Sequence, residues 1–193
     1  MGGRGSSGIR NTATSLTSED WDDWTQDPTI YQRLERGEDI SEEFYDTWGE
    51  DEWEEQYNRA TQIARELQNQ AESEVLNTST LYRGERFNSL AEAQRKYAIG
   101  NVVTTDKLTS YAKNESLARE YATMYGGVAV VITNKSTNGN FVAAQAHHSN
   151  TKNDPEVLVA RGHQSKVTNT HYDAKTNTLY VELESKSIPK RRR

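Results

Sequence analysis

The chain has no cysteine in its 193 residues, which excludes a disulfide framework, a cysteine-based zinc site and a thiol nucleophile. It has no run of about 18 apolar residues and no apolar stretch behind its first positions. Neither a membrane-spanning helix nor a secretory signal is therefore expected, and the expected location is the cytoplasm. Only 33% of the residues are hydrophobic and the mean hydropathy is -0.96; the core must be compact and much of the chain solvated. No Gly-x-Gly-x-x-Gly motif follows a strand pattern and no glycine loop with a lysine is present, so a nucleotide would have to be held by other means. No Ser-His-Asp pattern supports a serine nucleophile. His147 and His148 are adjacent, point oppositely on a strand and have no spaced Cys or His to complete a site; no metal is expected.

What is present is distributed unevenly. Residues 19–74 hold 19 of the 29 acidic side chains and four basic ones, Arg33, Arg36, Arg59 and Arg65, which leaves -15 there and +9 elsewhere. A solvated acidic face on surface helices explains the first figure, and the second suits an anionic ligand. The basic tail, residues 187–193, is too short to indicate nucleic acid binding. Residues 1–17, rich in Gly, Ser and Thr, are expected to be mobile.

Residues 18–76 read as an acidic helical region. Trp53, Tyr57, Ala60, Ala64, Leu67 and Ala71 recur at helical spacing. All four tryptophans, Trp21, Trp24, Trp48 and Trp53, lie here with Tyr31, Phe44 and Tyr45, and are expected to anchor the region on the downstream domain. Residues 77–186 are β-rich, with strands expected over 80–83, 101–105, 128–133, 140–145, 156–160, 165–170 and 178–184. Two helices interrupt them. Ser89-Leu90-Ala91-Glu92 reads as a capping box for the first; the second follows Asn114, with Leu117, Tyr121 and Met124 along one face, and stops at Gly126-Gly127. Residues 172–177 read as a hairpin turn. Strands and helices without regular alternation indicate an α+β fold.

Four positions carry the candidate chemistry. Asp154 and Glu156 stand two residues apart at the mouth of the apolar run Val157-Leu158-Val159-Ala160, where strand geometry puts both carboxylates on one face; Pro155 between them equally fits a loop entering the strand. A carboxylate held in a dry pocket stabilises the positive charge that develops when an N-glycosidic bond breaks, and Asp154 suits a base toward an incoming nucleophile. Arg83, in Leu81-Tyr82-Arg83-Gly84, presents paired donors to phosphate oxygens and keeps its charge. Ser110, in Leu108-Thr109-Ser110-Tyr111-Ala112, offers a hydroxyl to a ribose or a carboxylate.

In order and spacing, Leu81-Tyr82-Arg83-Gly84, Leu108-Thr109-Ser110 followed by Ala118-Arg119-Glu120-Tyr121-Ala122, and Glu156-Val157-Leu158-Val159-Ala160-Arg161-Gly162 resemble the mono-ADP-ribosyltransferases of the Arg-Ser-Glu class. The glycine-rich start and acidic helical preface resemble phage-encoded members associated with head proteins, which would place the chain in a host cytoplasm or a virion. The resemblance implies a split β-sandwich core with NAD, a consumed substrate, in its cleft. Nicotinamide leaves and ADP-ribose passes to an acceptor protein, which the sequence does not identify. Arg83 would bind the NAD phosphates and the Gly84 backbone the carboxamide. Ser110 would support the nicotinamide ribose and Glu156, and Glu156 would hold the ribose hydroxyl and the oxocarbenium ion. The loop 146–154 would face the acceptor. Two positions depart from the family: its Ser-Thr-Ser reads Ser110-Tyr111-Ala112, and Asp154 stands where Glu or Gln is usual. Glu there accompanies transfer to arginine, and Asp154 keeps its charge with a shorter reach, which points to arginine among acceptors. NAD glycohydrolysis, and a virion or interaction protein with the same fold and no turnover, stay open as alternatives.

Overall fold

The computed structural model describes residues 16–146 and 156–190. His147, His148, Asp154, most of the glycine-rich N-terminus and the last three residues of the basic tail lie outside the described residues, and so do the expectations made for them.

Four helices come first: α1 (Ser18–Gln26), α2 (Pro28–Glu35), α3 (Ser41–Trp48) and α4 (Trp53–Ser73). Thr17 opens α1 with a complete capping box to Asp20, and Pro28 sits at the first turn of α2, where a missing amide costs nothing. The stripe expected along α4 is in place: Ala60, Ala64, Leu67 and Ala71 are buried, joined by Ile63, and Trp53 and Tyr57 pack against them. The aromatic anchors divide. Trp21, Trp24, Tyr31 and Phe44 are buried, whereas Tyr45 and Trp48 are each 47% exposed, Tyr45 meeting Trp53 edge-on with ring centroids 6.3 Å apart.

Among the described residues, the remainder is a set of strands and two helices. A five-stranded sheet runs in the order β2 (Thr80–Phe87), β5 (Val128–Ser136), β10 (Thr178–Ser185), β9 (Gln164–Asp173), β3 (Val102–Thr104), with β5 and β10 parallel and the other pairs antiparallel. A three-stranded antiparallel sheet is ordered β4 (Thr109–Tyr111), β8 (Val157–Val159), β7 (Ala144–Gln145). The run expected as one strand over 140–145 is two. Phe141 and Val142 form β6, which pairs with β1 (Val75–Leu76), while β7 pairs with β8. Ala143 between them gives its amide to Glu74, so the chain changes partner there. Tyr82 and Ala112 exchange backbone hydrogen bonds of 2.8 Å each, which ties the edge strand β2 to the end of β4.

Strand alternation sorts the core into layers. On β5, Val130 and Ile132 face α5 (Leu90–Lys96) and the partners Val167, Leu179, Val181 and Leu183; Ala129 and Val131 face α6 (Glu115–Thr123). Burial on both faces explains why this strand reads as a continuous apolar run. On the short sheet, Tyr111, Val157 and Val159 join Leu76, Leu81 and Phe141 in the space between sheets. Leu108 and Leu158 point the other way, into the cluster built by α1 to α4. The whole is an α+β split sandwich with helices over its outer faces.

Two local expectations need correction. Ser89 accepts from the Glu92 amide, but among the described residues no side-chain bond returns from Glu92, so half of the capping box is present. The face of α6 that packs on the sheet is Ala118 and Ala122; Tyr121 and Met124 are 61% and 51% exposed. The reason lies in Gly84 on β2. A Cβ there would stand 2.0 Å from the Ala118 carbonyl oxygen and 2.7 Å from the Ala122 nitrogen. Only small side chains fit a helix that approaches a strand so closely. Gly84→Ala is accordingly expected to destabilise the protein by about 3 kcal/mol, lowering the thermal midpoint by roughly 6–12 °C. A midpoint within 2 °C or so of the parent in a thermal melt would contradict this packing.

Candidate active site

Arg83, Ser110 and Glu156 come from three different elements, and hydrogen bonds connect them in a chain. Arg83, on β2, donates from Nη1 to the Ser110 carbonyl at 2.8 Å. Ser110, in the middle of β4, donates its hydroxyl to Oε1 of Glu156. Glu156 stands one residue before β8, in register beside β4, and its carbonyl accepts from the Ala146 amide at 3.1 Å. All three side chains are partly buried. Ser110 is thus the hub: its backbone is held by the cation and its side chain by the anion.

Two partners were not anticipated. The first is Glu85, two residues beyond Arg83 and so on the same face of β2. It takes Arg83 Nε at 3.1 Å on one oxygen, and the Tyr97 hydroxyl at 2.6 Å and Lys96 Nζ at 3.3 Å on the other. Burial pushes the Glu85 carboxyl up, but the charges of Arg83 and Lys96 and the Tyr97 hydrogen bond outweigh it and hold the group below its ordinary range. Burial, reinforced by the Glu85 charge, pushes the Tyr97 phenol well up, so it stays a donor. Arg83 is therefore fixed from both ends, with Nη2 left without an acceptor among the described residues. The second partner is Trp24 of α1, whose indole N–H donates to Glu156 Oε1 at 3.2 Å.

A cleft of about 430 Å³ opens beside Arg83, lined among others by Arg86, Lys96, Lys107, Tyr111 and His163. This volume is in the range of small-ligand sites. Its basic lining agrees with the positive balance outside residues 19–74. Thr109 and Tyr111 line the cleft, but Ser110 between them does not, because alternate residues of β4 face opposite ways. Arg83 lines the cleft and also reaches the backbone of Ser110, so it is the residue common to both. Gly84 lies beside it with its missing side chain turned to α6.

His163 lines the cleft, and its Nε2 lies 3.0 Å from Ser185 Oγ, which donates to Asn134 Oδ1 at 2.7 Å. Burial lowers the His163 pKa below its ordinary 6.5. The unfolded chain then takes up protons that the folded chain refuses. Stability is held in full above pH 6.5 and is lost as pH falls through the folded-state value. His163→Gln is expected to flatten that decline in thermal midpoints measured between pH 7 and pH 5 or so; an unchanged slope would show that other groups cause it.

No protein-family model and no curated protein sequence matches the chain. Solved structures do. Vis toxin, an ADP-ribosyltransferase from Vibrio splendidus, superposes with a TM-score of 0.56 at 20% identity, covering 87% of this chain and 71% of that one; Vis has also been solved in complex with agmatine. An ADP-ribosyltransferase from Clostridium botulinum gives 0.58 at 12% identity, over 87% of this chain and 85% of its own. Exoenzyme S from Pseudomonas aeruginosa, in a structure bound to Carba-NAD, gives 0.50 at 19%, over 87% and 72%. The fold of this chain is that of the mono-ADP-ribosyltransferases.

Proposed function

We propose that the chain is a mono-ADP-ribosyltransferase that cleaves NAD to nicotinamide and transfers ADP-ribose to a protein, with arginine as the acceptor residue. The observation that carries this reading is the hydrogen-bonded chain Arg83, Ser110, Glu156. Three residues 27 and 46 positions apart in sequence converge on a fold whose structural relatives are ADP-ribosyltransferases. The Carba-NAD held by Exoenzyme S supports NAD as the substrate, and the agmatine held by Vis, a guanidine, supports a guanidinium acceptor.

Each residue has a chemical task. Arg83 Nη2 meets a phosphate oxygen of NAD with a charge-assisted bond, while Nε and Nη1 keep the guanidinium plane fixed. The Gly84 backbone meets the carboxamide. As the bond between ribose and nicotinamide lengthens, its electron pair leaves with the nicotinamide ring and positive charge gathers on the ribose carbon. The Glu156 carboxylate, already oriented by Ser110, stabilises that charge without reorganising. A guanidinium nitrogen of the acceptor then bonds to the ribose carbon and gives up a proton, for which Asp154 is the proposed base.

The test is incubation of the purified chain with NAD labelled in the adenylate part, with and without cell lysate. Transfer of label to protein, removed by hydroxylamine as expected of an arginine linkage, is the expected outcome. Nicotinamide release with all label in free ADP-ribose would point instead to glycohydrolysis, and intact NAD in every lysate to a protein without turnover.

A further inference from the structure

Glu156 receives two hydrogen bonds on one oxygen. The Ser110 hydroxyl and the Trp24 indole N–H both reach Oε1, and among the described residues no donor reaches Oε2. The two donors come from different layers of the fold, β4 in the sheet and α1 in the acidic helical region, with 132 residues between Trp24 and Glu156. Trp24 is fully buried, tilted against Tyr31 with ring centroids 6.2 Å apart. One helix further on, Gln32 donates to the Leu108 carbonyl at 2.9 Å, two residues ahead of Ser110. The helical region thus holds Glu156 directly and the backbone at Leu108, one residue before the strand that carries Ser110.

We propose that Trp24 is a positioning residue for the reaction, and that the N-terminal helical layer thereby completes the catalytic centre. This rests on the reading of Glu156 given above. A carboxylate on a loop-to-strand junction can rotate about its terminal torsion, which is broad. One donor from β4 restrains it in one plane; a second from a rigid, packed indole fixes the remaining freedom. With Oε1 occupied twice, Oε2 is the oxygen turned to the substrate, ready for a ribose hydroxyl or for the charge developing beside it. Tryptophan suits the task because its ring is held by packing and its N–H donates without ionising.

A buried indole also needs a partner for its own sake, so the experiment must separate positioning from stability. The full chain is compared with Trp24→Phe, which keeps an aromatic ring without the donor, and with Trp21→Phe, a buried tryptophan of the same helix whose ring is not bonded to Glu156. Trp24→Phe is expected to lower kcat for nicotinamide release about tenfold to a hundredfold, with KM for NAD within about twofold. Trp21→Phe is expected to keep kcat within about threefold at a temperature where both variants are folded. A Trp24→Phe kcat near the parent, or no lower than that of Trp21→Phe, would overturn the proposal while leaving the assigned activity intact. The contact has its own readout: in Glu156→Gln, one indole N–H signal in a proton–nitrogen spectrum, that lost in Trp24→Phe, is expected to shift far more than the other three. An unmoved signal would overturn it too. An inactive parent chain would overturn the functional reading, and the positioning role with it.

Discussion

Glu156→Gln is expected to lower nicotinamide release from NAD by about two to three orders of magnitude, with little change in thermal stability. The side-chain carbonyl oxygen of glutamine can still accept from the Ser110 hydroxyl and the Trp24 indole, so the local packing survives and the negative charge alone is lost. That charge opposes the one developing on the ribose carbon, in a half-buried setting where electrostatic stabilisation is worth more than in water. The effect should fall on kcat and leave KM nearly constant, because the positive charge of the nicotinamide ring passes to the ribose carbon only in the transition state. Steady-state kinetics with a thermal melt on the same preparation checks both halves. Loss of activity together with loss of folding would assign Glu156 a structural role instead.

The second large effect concerns Arg83. Arg83→Ala removes the proposed phosphate ligand, frees the Ser110 carbonyl and strands Glu85, whose carboxylate keeps, among the described residues, only Lys96 and the Tyr97 hydroxyl. Breaking one side of a largely buried ion pair is expected to cost about 2–3 kcal/mol of stability. Arg83→Lys separates the two consequences. Lysine restores a charge beside Glu85 but cannot present a rigid fork to the Ser110 backbone and to a phosphate at once. It should recover much of the stability while KM for NAD stays raised by about tenfold or more. Because the Glu85 carboxyl is held below 4.5 in the folded protein, this ion-pair contribution is complete above that value and is lost as pH falls through the folded one. The parent and Arg83→Ala should accordingly converge in stability as the medium is acidified. A constant gap down to pH 3 or so would mean that the pair with Glu85 is not what Arg83 contributes.

The sequence was most informative where local pattern and chemistry coincide. Arg83, Ser110 and Glu156 stood out because residue type, order and spacing resembled a known family, and the fold and the hydrogen bonds bring them together. Glu85 was within reach of the same reasoning. It shares a strand face with Arg83 at two-residue spacing, the relation used for Asp154 and Glu156, and a carboxylate there is the natural partner of a half-buried guanidinium. Trp24 was legible as a core aromatic but not as a hydrogen-bond donor, since its acceptor lies 132 residues away and no local periodicity encodes that. The packed face of α6 was misjudged for a different reason. Apolar residues at helical spacing suggested the face of Leu117, Tyr121 and Met124, yet the strand approaches so closely at Gly84 that only Ala118 and Ala122 fit beneath it. Similarly, a single strand over 140–145 follows from composition, while the switch of partners at Ala143 depends on β1 and β8, both outside the run itself.

The most direct measurement is nicotinamide release from NAD by the purified full chain, followed by chromatography over time at several protein concentrations. Release in proportion to the amount of protein, lowered by about two to three orders of magnitude when Glu156 is replaced by Gln, is the expected result. NAD that stays intact with the parent chain, with and without lysate, would contradict the central claim that Arg83, Ser110 and Glu156 form a site for breaking the glycosidic bond of NAD.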